Sequence, residues 1–423
     1  MSSLAINKEV PHAREYYPRN EPEISTVLKT TLGKPKLFEP FRLRDVTFKN
    51  RIWVSPMAQW SSDDGHATDW HLVHYGSLAT HGAGAITVEA TVILPEGRTS
   101  NEDAGLWKDS QIAPLKRIVS FVHAHDTKIG IQLVHGGRKS STRAPWVQKR
   151  LEPGTPVVAS REENGWPDQV YGPSNISYHE GVYPDPQATT EEYLNKVTDA
   201  FVDAARRANE AGFDFINIHA AHGYLLHEFL SPLSNIRSDI YGGQSLENRI
   251  RYPLHVIEKV RAAWPEHKPL FVRISATDWA EGPEKDENGK WLQWGAEQSS
   301  IFSERLQKIG VDLVDVSTGG NWRQQNIPVG PGYQVPFAAE IKKALPNLAI
   351  SAVGAITEPE QAEDYLQEGK ADVIYMAREF LRNPSWPLYA AHQLGVTIKA
   401  ANQYEGAWIG RIPTSTTRPV LRN

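Results

Sequence analysis

Eight short apolar runs, each followed by a stretch with helical periodicity, constrain the fold of this sequence more than any other feature. Apolar runs of this length are typical of buried parallel strands, and the stretches between them have the spacing of amphipathic helices. The apolar runs are residues 51–56, 85–92, 128–134, 213–219, 270–275, 311–317, 348–353 and 371–376. The helical stretches are residues 69–80, 112–124, 191–210, 246–263, 296–308, 337–344, 359–367 and 384–394. This alternation predicts an α/β fold, a (β/α)8 TIM barrel over residues 37–395.

A doubly wound sheet is the main alternative arrangement of alternating strands and helices. Such a sheet would need a G-x-G-x-x-G motif after its first strand to bind a dinucleotide, and the sequence has no such motif there. The absence of this glycine pattern favours the barrel over the doubly wound sheet.

Several segments lie outside this alternation. Residues 1–36 form a polar N-terminal extension, and residues 396–423 form a C-terminal tail rich in Pro and Thr at its end. Two connections, residues 136–188 and 276–295, are too long to be simple turns. They follow the third and fifth predicted strands, and in a barrel such insertions leave the face that carries the active site. We expect the first insertion to form a hairpin cap over the barrel mouth.

The composition excludes several classes of function. The 423 residues carry a net charge of −5 without a basic stripe, so we expect no nucleic-acid partner. The sequence has no cysteine, which excludes disulfides, iron–sulfur clusters and thiolate zinc sites. No run of about 18 apolar residues is present, so we expect no membrane-spanning segment. The N-terminal residues lack the apolar core of a signal peptide, and we expect a cytoplasmic enzyme.

Three polar rings stand at the end of the fourth predicted strand, in the segment HAAHGY. His219, His222 and Tyr224 interrupt an otherwise apolar stretch, which is a costly composition for a core and a suitable one for a pocket. A single histidine near a strand end is usually structural, and two imidazoles can also ligate zinc. No cysteine and no HExxH motif accompany them, so we expect no metal. The rings alone predict a site that polarises an anionic or carbonyl oxygen.

Polar residues in or after other predicted strands indicate a phosphorylated cofactor. Gln132 and Arg273 interrupt apolar strands, and their burial costs free energy unless a ligand or a partner satisfies them. Gly354 and Arg378 follow the seventh and eighth strands, where barrels commonly bind phosphate. An amide side chain, an inward-facing cation and a phosphate cradle together suit flavin mononucleotide (FMN). For Arg273, a salt bridge in the barrel interior is the alternative interpretation.

Several motifs at these strand ends carry a resemblance to a known family. The motifs include KNRIWVSPMAQWSS, EATVILPEGR, GIQLVHGGRK, GFDFINIHAAHGYLLHEFLSPLSNIRSDIYGG and FVRISATD, and the similarity extends over residues 37–408. The sequence resembles the old yellow enzyme family, and within it the branch that includes small bacterial ene-reductases. The resemblance implies non-covalently bound FMN, NADPH or NADH as reductant, and ping-pong reduction of activated alkenes such as α,β-unsaturated carbonyls or nitroalkenes.

The resemblance also implies a role for each candidate site residue. The residues expected to line the isoalloxazine ring are Ser55, Pro56, Met57, Ala58, Ala90 and Gln132. Those expected to hold the FMN phosphate are Gly354, Ala377 and Arg378. The expected substrate-binding residues are Trp60, His219, His222 and Tyr224. Arg273 would stabilise the reduced flavin, the two histidines would donate hydrogen bonds to the substrate oxygen, and Tyr224 would act as general acid.

The sequence departs from the pattern of that branch at three positions. Ala58 stands in place of a Cys near the flavin, and Trp60 stands in place of a Tyr in the substrate site. Gly406 stands where relatives place an Arg that reaches into the neighbouring subunit. Whether Arg411 replaces that Arg is open, and so is a shared active site. A homodimer is still expected.

The sequence leaves three further questions open. The reductant is NADPH or NADH, and Arg138 and Lys139 are candidates to bind a 2′-phosphate. A barrel hydrolase would need paired acids at strand ends, and the candidates for such a pair are Glu89 and Asp315. A non-catalytic ligand-binding protein would not need the three polar rings of HAAHGY, all of which are present.

Overall fold

The computed structural model describes residues 19–30 and 33–408 of the chain. Its strands in chain order are β1 Val27–Thr30, β2 Phe41–Leu43, β3 Val46–Phe48, β4 Ile52–Val54, β5 Ala85–Val92, β6 Lys128–Val134, β7 Tyr171–Gly172, β8 Gln187–Ala188, β9 Phe215–Ala220, β10 Leu270–Ser275, β11 Leu313–Ser317, β12 Ala349–Ala352, β13 Val373–Met376 and β14 Val396–Ile398. Its α-helices are α1 Asp69–Thr80, α2 Ile112–His123, α3 Pro145–Gln148, α4 Glu191–Ala211, α5 Leu225–Leu230, α6 Leu246–Ala263, α7 Ala296–Lys308, α8 Val335–Ala344, α9 Pro359–Gln367, α10 Arg378–Arg382, α11 Trp386–Gln393 and α12 Glu405–Trp408. The expectations for residues 1–18 and for Arg411 lie outside the described residues.

Eight parallel strands close into a barrel in the order β4-β5-β6-β9-β10-β11-β12-β13. These are the eight strands that the sequence predicts, and helices lie between them along the chain, so the (β/α)8 barrel is confirmed. The first strand is shorter than predicted and ends at Val54, just before Pro56, which has no N–H to donate to a ladder. The final helical stretch is preceded by the separate short helix α10, and Pro384 lies between α10 and α11.

The lower half of the barrel interior is filled by aromatic rings. Trp53 stacks on Phe271 with ring centroids 5.8 Å apart, and Phe215 lies 4.5 Å from Phe271. Phe48, from the β2–β3 hairpin, closes the amino-terminal end against Trp53 at 4.3 Å. All four rings are fully buried. This apolar layer excludes water from the bottom of the barrel, so polar side chains can meet a ligand only at the carboxyl end of the strands.

A polar layer lies directly above the aromatic one. Because side chains alternate along a strand, residues two positions beyond the aromatic layer face the same interior. Asn217 and Arg273 follow Phe215 and Phe271 in this way, and Asp315 and Ser351 complete the layer. Arg273 is in register with Asp315, and Asp315 is in register with Ser351. The interior therefore changes from apolar to polar along the strand direction.

The helices on the outside bury one apolar face against the barrel. In α4 the buried face includes Val197, Phe201 and Ala204, at the three- and four-residue spacing of an amphipathic helix. Thr190 caps its first turn by accepting a hydrogen bond from the backbone N–H of Tyr193 at 3.2 Å. Within residues 19–30 and 33–408, no helix combines the length and the hydrophobicity needed to cross a bilayer.

The two ends of the described chain meet at the surface. Strand β1, from the predicted N-terminal extension, pairs antiparallel with β14, from the predicted C-terminal tail. Asn20 also accepts a hydrogen bond from the backbone N–H of Asn402 at 2.8 Å. The parts of both segments that the structure describes therefore pack against each other.

The insertion after β6 does form a lobe beside the barrel mouth, but the expected hairpin is wrong. Its strands β7 and β8 pair in parallel over two residues each, and a single antiparallel bridge joins Thr142 to Val158. Proline and glycine residues recur in this segment and interrupt any longer ladder, because proline lacks a backbone donor. The lobe reaches the mouth through the short helix α3, where the ring of Trp146 meets Trp60 with centroids 6.1 Å apart.

We expect the Phe271→Ala variant to lose about 3–5 kcal/mol of unfolding free energy, because the fully buried ring leaves a cavity in a closed aromatic layer. Equilibrium urea unfolding followed by circular dichroism measures the loss. Val329→Ala is a suitable control, since Val329 is 67% exposed and its truncation should change stability by less than about 0.5 kcal/mol. Equal losses in the two variants would contradict the layered core.

Candidate active site

His219 occupies the carboxyl end of β9 and faces the barrel interior beside Arg273, its in-register neighbour in β10. The side chain is 3% exposed. Its Nδ1 accepts a hydrogen bond from the backbone N–H of Ala221 at 3.2 Å, so the ring proton resides on Nε2. Nε2 lies 3.3 Å from Nδ1 of His222. The structure therefore brings the two predicted histidines into direct contact.

His222 is held in an unusual backbone conformation, with φ of 60°. Its backbone N–H donates to Ser275 Oγ at 2.9 Å, and its Nε2 lies 2.8 Å from Ser317 Oγ. The loop after β11 can approach this residue so closely because Gly320 has no side chain: a Cβ there would lie 2.5 Å from the Cα of His222. The ends of β10 and β11 and the loop after β11 thus jointly fix the second histidine, which lies in the loop after β9.

Lys139 joins a third loop to this arrangement. It ends a short 3-10 turn after β6, and its ammonium donates hydrogen bonds to the backbone carbonyls of His222, at 2.8 Å, and Gly320. The same ammonium lies 4.0 Å from the ring centroid of Tyr178 in the inserted lobe. Lys139 therefore fastens the loops after β6, β9 and β11 together.

The third predicted ring, Tyr224, immediately precedes helix α5 and packs edge-on against His219, with centroids 5.0 Å apart at 88°. Burial raises the pKa of Tyr224 above its ordinary value, and the nearby carboxyl of Asp103 raises it further. Burial also lowers the pKa values of His219 and His222 well below 6.5, and the charge of Arg273 lowers them further. The site thus pairs neutral imidazoles with a protonated phenol.

Arg273 links the rings to the first strand of the barrel. Its Nη1 donates to Ser55 Oγ at 3.1 Å, and its Nε lies 3.5 Å from a carboxylate oxygen of Asp315. The guanidinium also lines a cavity of about 420 Å³ at the ends of β10 to β13. Arg273 therefore makes the interior salt bridge of the alternative interpretation and also faces a cavity.

That cavity contains the residues predicted to hold a phosphate. It is lined by His222, Arg273, Tyr333, Gly354, Ala377 and Arg378, among others. Gly354 has a φ of 124°, and a Cβ there would come within 2.9 Å of the Gln334 amide nitrogen, so only glycine fits the backbone at this point. Arginine side chains in the lining and a close backbone approach suit an anionic cofactor.

The remaining predicted cofactor residues lie at the adjoining strand ends. Pro56, Met57 and Ala58 are half-buried in the loop after β4. Ala90 is in register with Gln132 after a bulge in β5 and is half-buried. The loop after β4 is fixed from below, since the buried Glu89 accepts a hydrogen bond from the backbone N–H of Gln59 at 2.6 Å. Trp60, also half-buried, lies at the rim next to the inserted lobe.

The sequence profile of the NADH:flavin oxidoreductase / NADH oxidase family matches residues 36–396 of the chain. The chain belongs to this family. It is 46% identical over 399 residues to an NADH:flavin oxidoreductase of Gibberella zeae, covering 94% of each chain. It is 44% identical over 374 residues to an NADPH dehydrogenase of Geobacillus, covering 88% of this chain and 98% of that enzyme. The resemblance to the old yellow enzymes is thereby confirmed.

Solved structures agree with this membership. Morphinone reductase superposes with a TM-score of 0.66 at 25% sequence identity, covering 88% of this chain and 92% of that chain. A 2-naphthoyl-CoA reductase gives a TM-score of 0.72 at 21% identity, covering 85% of this chain and 53% of that chain. The second likeness concerns the fold alone.

As a member of this family, the flavoprotein uses non-covalently bound FMN, with NAD(P)H as its reductant. The residues present fit FMN by two independent observations. The cationic side chains of Arg273 and Arg378 line the cavity, and the backbone at Gly354 leaves no room for a side chain. In the described part of the chain no cluster of three or more His, Asp or Glu side chains is arranged to hold a metal ion.

The structure gives Arg138 and Lys139, the candidates for a 2′-phosphate site, partners within the protein. Arg138 is 2% exposed, and its Nη2 donates to the backbone carbonyl of Asn321 at 2.6 Å and to its side-chain oxygen at 3.0 Å. The ammonium of Lys139 is occupied by two carbonyls, as described above. Both cations have turned inward because the loop after β11 offers buried acceptors that no local pattern could predict.

Sequence reasoning also missed two polar residues of the site, Ser317 and Gln334, and the contact of a third, Asp315, with Arg273. Ser317 contacts His222, Gln334 accepts hydrogen bonds from Ser317 at 3.2 Å and Thr318 at 2.8 Å, and Asp315 supports Arg273. One signal was available for two of them. The polar residues Asp315 and Ser317 alternate with valines in strand β11, as expected for a strand with one polar face towards the barrel interior.

As the pH falls from about 7 to about 5, we expect the unfolding free energy of the wild type to decrease by about 2 kcal/mol more than that of a His219→Gln variant. Burial lowers the pKa of His219 in the folded protein well below 6.5, so in this window the unfolded chain binds a proton that the folded chain does not. The stability that neutral His219 confers is therefore present above pH 6.5 and is lost as the pH falls. Chemical unfolding of both proteins across the window measures the difference, and a difference independent of pH would contradict the neutral imidazole.

Proposed function

We propose that this protein is an FMN-dependent ene-reductase that reduces the activated C=C bonds of α,β-unsaturated carbonyl compounds and nitroalkenes with NADPH or NADH. The observation that carries the proposal is the contact between two neutral histidines and a protonated Tyr224, next to the cavity lined by Arg273. Reduction of a polarised alkene requires hydrogen-bond donors to the substrate oxygen and a separate proton source. These three rings can provide both.

The first task of the chain is to hold the cofactor and set its charge environment. When bound and reduced by NAD(P)H, FMN supplies the hydride for the β-carbon of the alkene. The residues that would line its ring are Ser55, Pro56, Met57, Ala58, Ala90 and Gln132. Those that would bind its phosphate are Gly354, Ala377 and Arg378. Arg273 would stabilise negative charge on the ring, which its cationic guanidinium and its position in the cavity support.

His219 and His222 would bind the carbonyl or nitro oxygen of the substrate. The backbone N–H of Ala221 occupies Nδ1 of His219, which leaves Nε2–H as its donor. A donor aimed at an oxygen that gains negative charge in the transition state contributes about 3–4 kcal/mol in other enzymes. Their lowered pKa values support this role, since neutral imidazoles donate one hydrogen bond each without a pH-dependent charge. Trp60 would form the apolar wall of the substrate site.

Tyr224 would protonate the α-carbon as the hydride reaches the β-carbon. Its O–H bond breaks as the new C–H bond forms, and the electron pair of the enolate makes that bond. The phenolate then takes a proton from water. The pKa of Tyr224, raised by burial, keeps the phenol protonated before the reaction.

The hydrolase alternative finds no support in the two candidate acids. Glu89 is bound by the hydroxyl of Tyr75 at 3.1 Å and by the Gln59 N–H, whereas Asp315 is bound by Ser351 at 2.9 Å and faces Arg273. Each carboxylate has its own partners, and both are buried. A pair of catalytic acids would need to flank one shared substrate bond.

The decisive experiment is an anaerobic half-reaction assay on the purified protein. We expect a flavin spectrum that bleaches with NADPH or NADH and is restored by cyclohexenone. Bleaching without restoration by enones or nitroalkenes would reject the ene-reductase proposal while leaving the flavoprotein intact. Comparing NADPH with NADH in the first half-reaction also settles the reductant.

We expect Tyr224→Phe to slow reoxidation by cyclohexenone by about 10²–10⁴-fold, because the variant lacks the general acid. Bleaching by the nicotinamide should stay near the wild-type rate, since that half-reaction needs no proton from Tyr224. Stopped-flow measurement of both half-reactions separates the two effects. An unchanged reoxidation rate would assign the proton to another group.

We further propose that the protein is a homodimer that pairs through helix α1. Trp70 is 59% exposed and Val73 is 71% exposed on this helix, an unusual apolar surface for an uncovered helix. We expect light scattering to give twice the 47.3 kDa chain mass for the wild type and a lower mass for Val73→Asp. Val329→Asp, at a position 67% exposed in a different loop, is the matched control. A wild-type monomer would overturn the proposal.

A further inference from the structure

Asp315 lies beside Arg273, in the polar layer of the barrel interior. The two residues are in-register neighbours on β10 and β11, with Nε of Arg273 3.5 Å from Oδ2 of Asp315. Asp315 is fully buried, whereas Arg273 is 6% exposed. Among the described residues, Asp315 supplies the one carboxylate within 4.0 Å of this guanidinium. The cavity-lining cation therefore has a single buried counter-charge on its inner side.

The surroundings of Asp315 are those of an ionised carboxylate. Ser351 Oγ donates to Oδ1 at 2.9 Å, and the amide of Asn217 donates to Oδ2 at 3.4 Å. Donors thus approach both oxygens, which suits an acid that only accepts hydrogen bonds. Burial raises the pKa of the neighbouring Tyr375, and the negative charge of Asp315 raises it further.

The ion pair also fixes how Arg273 is presented to the cavity. Nε faces Asp315, and Nη1 donates to Ser55 Oγ at 3.1 Å on the first strand. Within residues 19–30 and 33–408, the second terminal nitrogen makes no hydrogen bond, and the side chain borders the cavity. One side of the guanidinium is thereby neutralised by protein, and the other is left for a ligand.

We propose that Asp315 positions Arg273 and, as its counter-charge, makes it less favourable for the bound flavin ring to carry a negative charge. The proposal rests on the FMN site of the proposed function but not on any particular alkene. A negative charge behind the guanidinium reduces the positive potential in the cavity, because Coulomb energy in a poorly screened interior extends over several ångströms. Asp315 therefore tunes the flavin without touching it.

The test uses the purified holoenzyme and two readouts that need no alkene. The first is the midpoint potential of bound FMN, from an anaerobic titration with a reference dye. The second is the dissociation constant for sulfite, which adds to oxidised flavin and makes the ring anionic. Asp315→Asn keeps the shape and removes the charge, so the potential should rise and sulfite should bind about ten-fold more tightly.

Ser351→Ala provides a matched variant with the opposite expected sign. It keeps the charge of Asp315 but deletes the hydroxyl dipole that offsets it, so sulfite binding should weaken, by about two-fold. General damage to the polar layer would move both variants in the same direction. Shifts of the same sign, or an unchanged sulfite constant in Asp315→Asn, would overturn the proposal.

The Ser351→Ala variant also decides the question if Asp315→Asn does not fold, because Ser→Ala removes a single atom. Weaker sulfite binding would support the counter-charge, and equal or tighter binding would reject it. As the conservative rescue, Asp315→Glu should restore a near-wild-type sulfite constant. Both readouts require only bound FMN, so a failure of the ene-reductase assay and a failure of this proposal are distinguishable.

Discussion

The buried pair of Arg273 and Asp315 is the interaction on which the upper half of the barrel depends. The aromatic layer of Trp53, Phe215 and Phe271 makes the lower interior dry, so every polar group above it must find partners within the protein or in a ligand. Removing one member of a buried ion pair typically costs about 3–5 kcal/mol, because the other charge is left without compensation. The ion pair lies at the level of the cavity, where its cationic side chain can contact a cofactor. Below that level, aromatic rings fill the interior in place of charged groups.

The second constraint is the close approach of loops that follow different strands. His222 has a positive φ, which is unfavourable for a residue with a side chain, and three contacts maintain it. The backbone of Gly320 packs against its Cα, Ser275 accepts its N–H, and Lys139 binds its carbonyl. The rings that carry the proposed chemistry are therefore positioned by backbone groups and buried side chains of the neighbouring strands, as expected for a site at the carboxyl end of a barrel.

Local patterns were sufficient for most of the architecture. The apolar runs and helical stretches predict all eight barrel strands, and the strand-end positions of His219, Gln132 and Arg273 single out the face where the cavity lies. The predictions failed where partners come from distant segments. The insertion after β6 forms a parallel pair and one bridge instead of a hairpin, since proline and glycine interrupt its ladders. Arg138 and Lys139 bind buried carbonyls, which no local spacing indicates.

The sequence by itself determined the barrel, because hydrophobic periodicity and strand length are local properties that survive any arrangement of the loops. It also determined which side chains stand at the ends of the strands. Only the tertiary structure decided how those side chains are paired. The contact of His222 with Ser317, the clamp formed by Lys139, and the register that sets Asp315 beside Arg273 all join residues from different strands or from the loops that follow them. Such pairings follow from the closure and register of the barrel, which are global properties that no single stretch of the chain encodes.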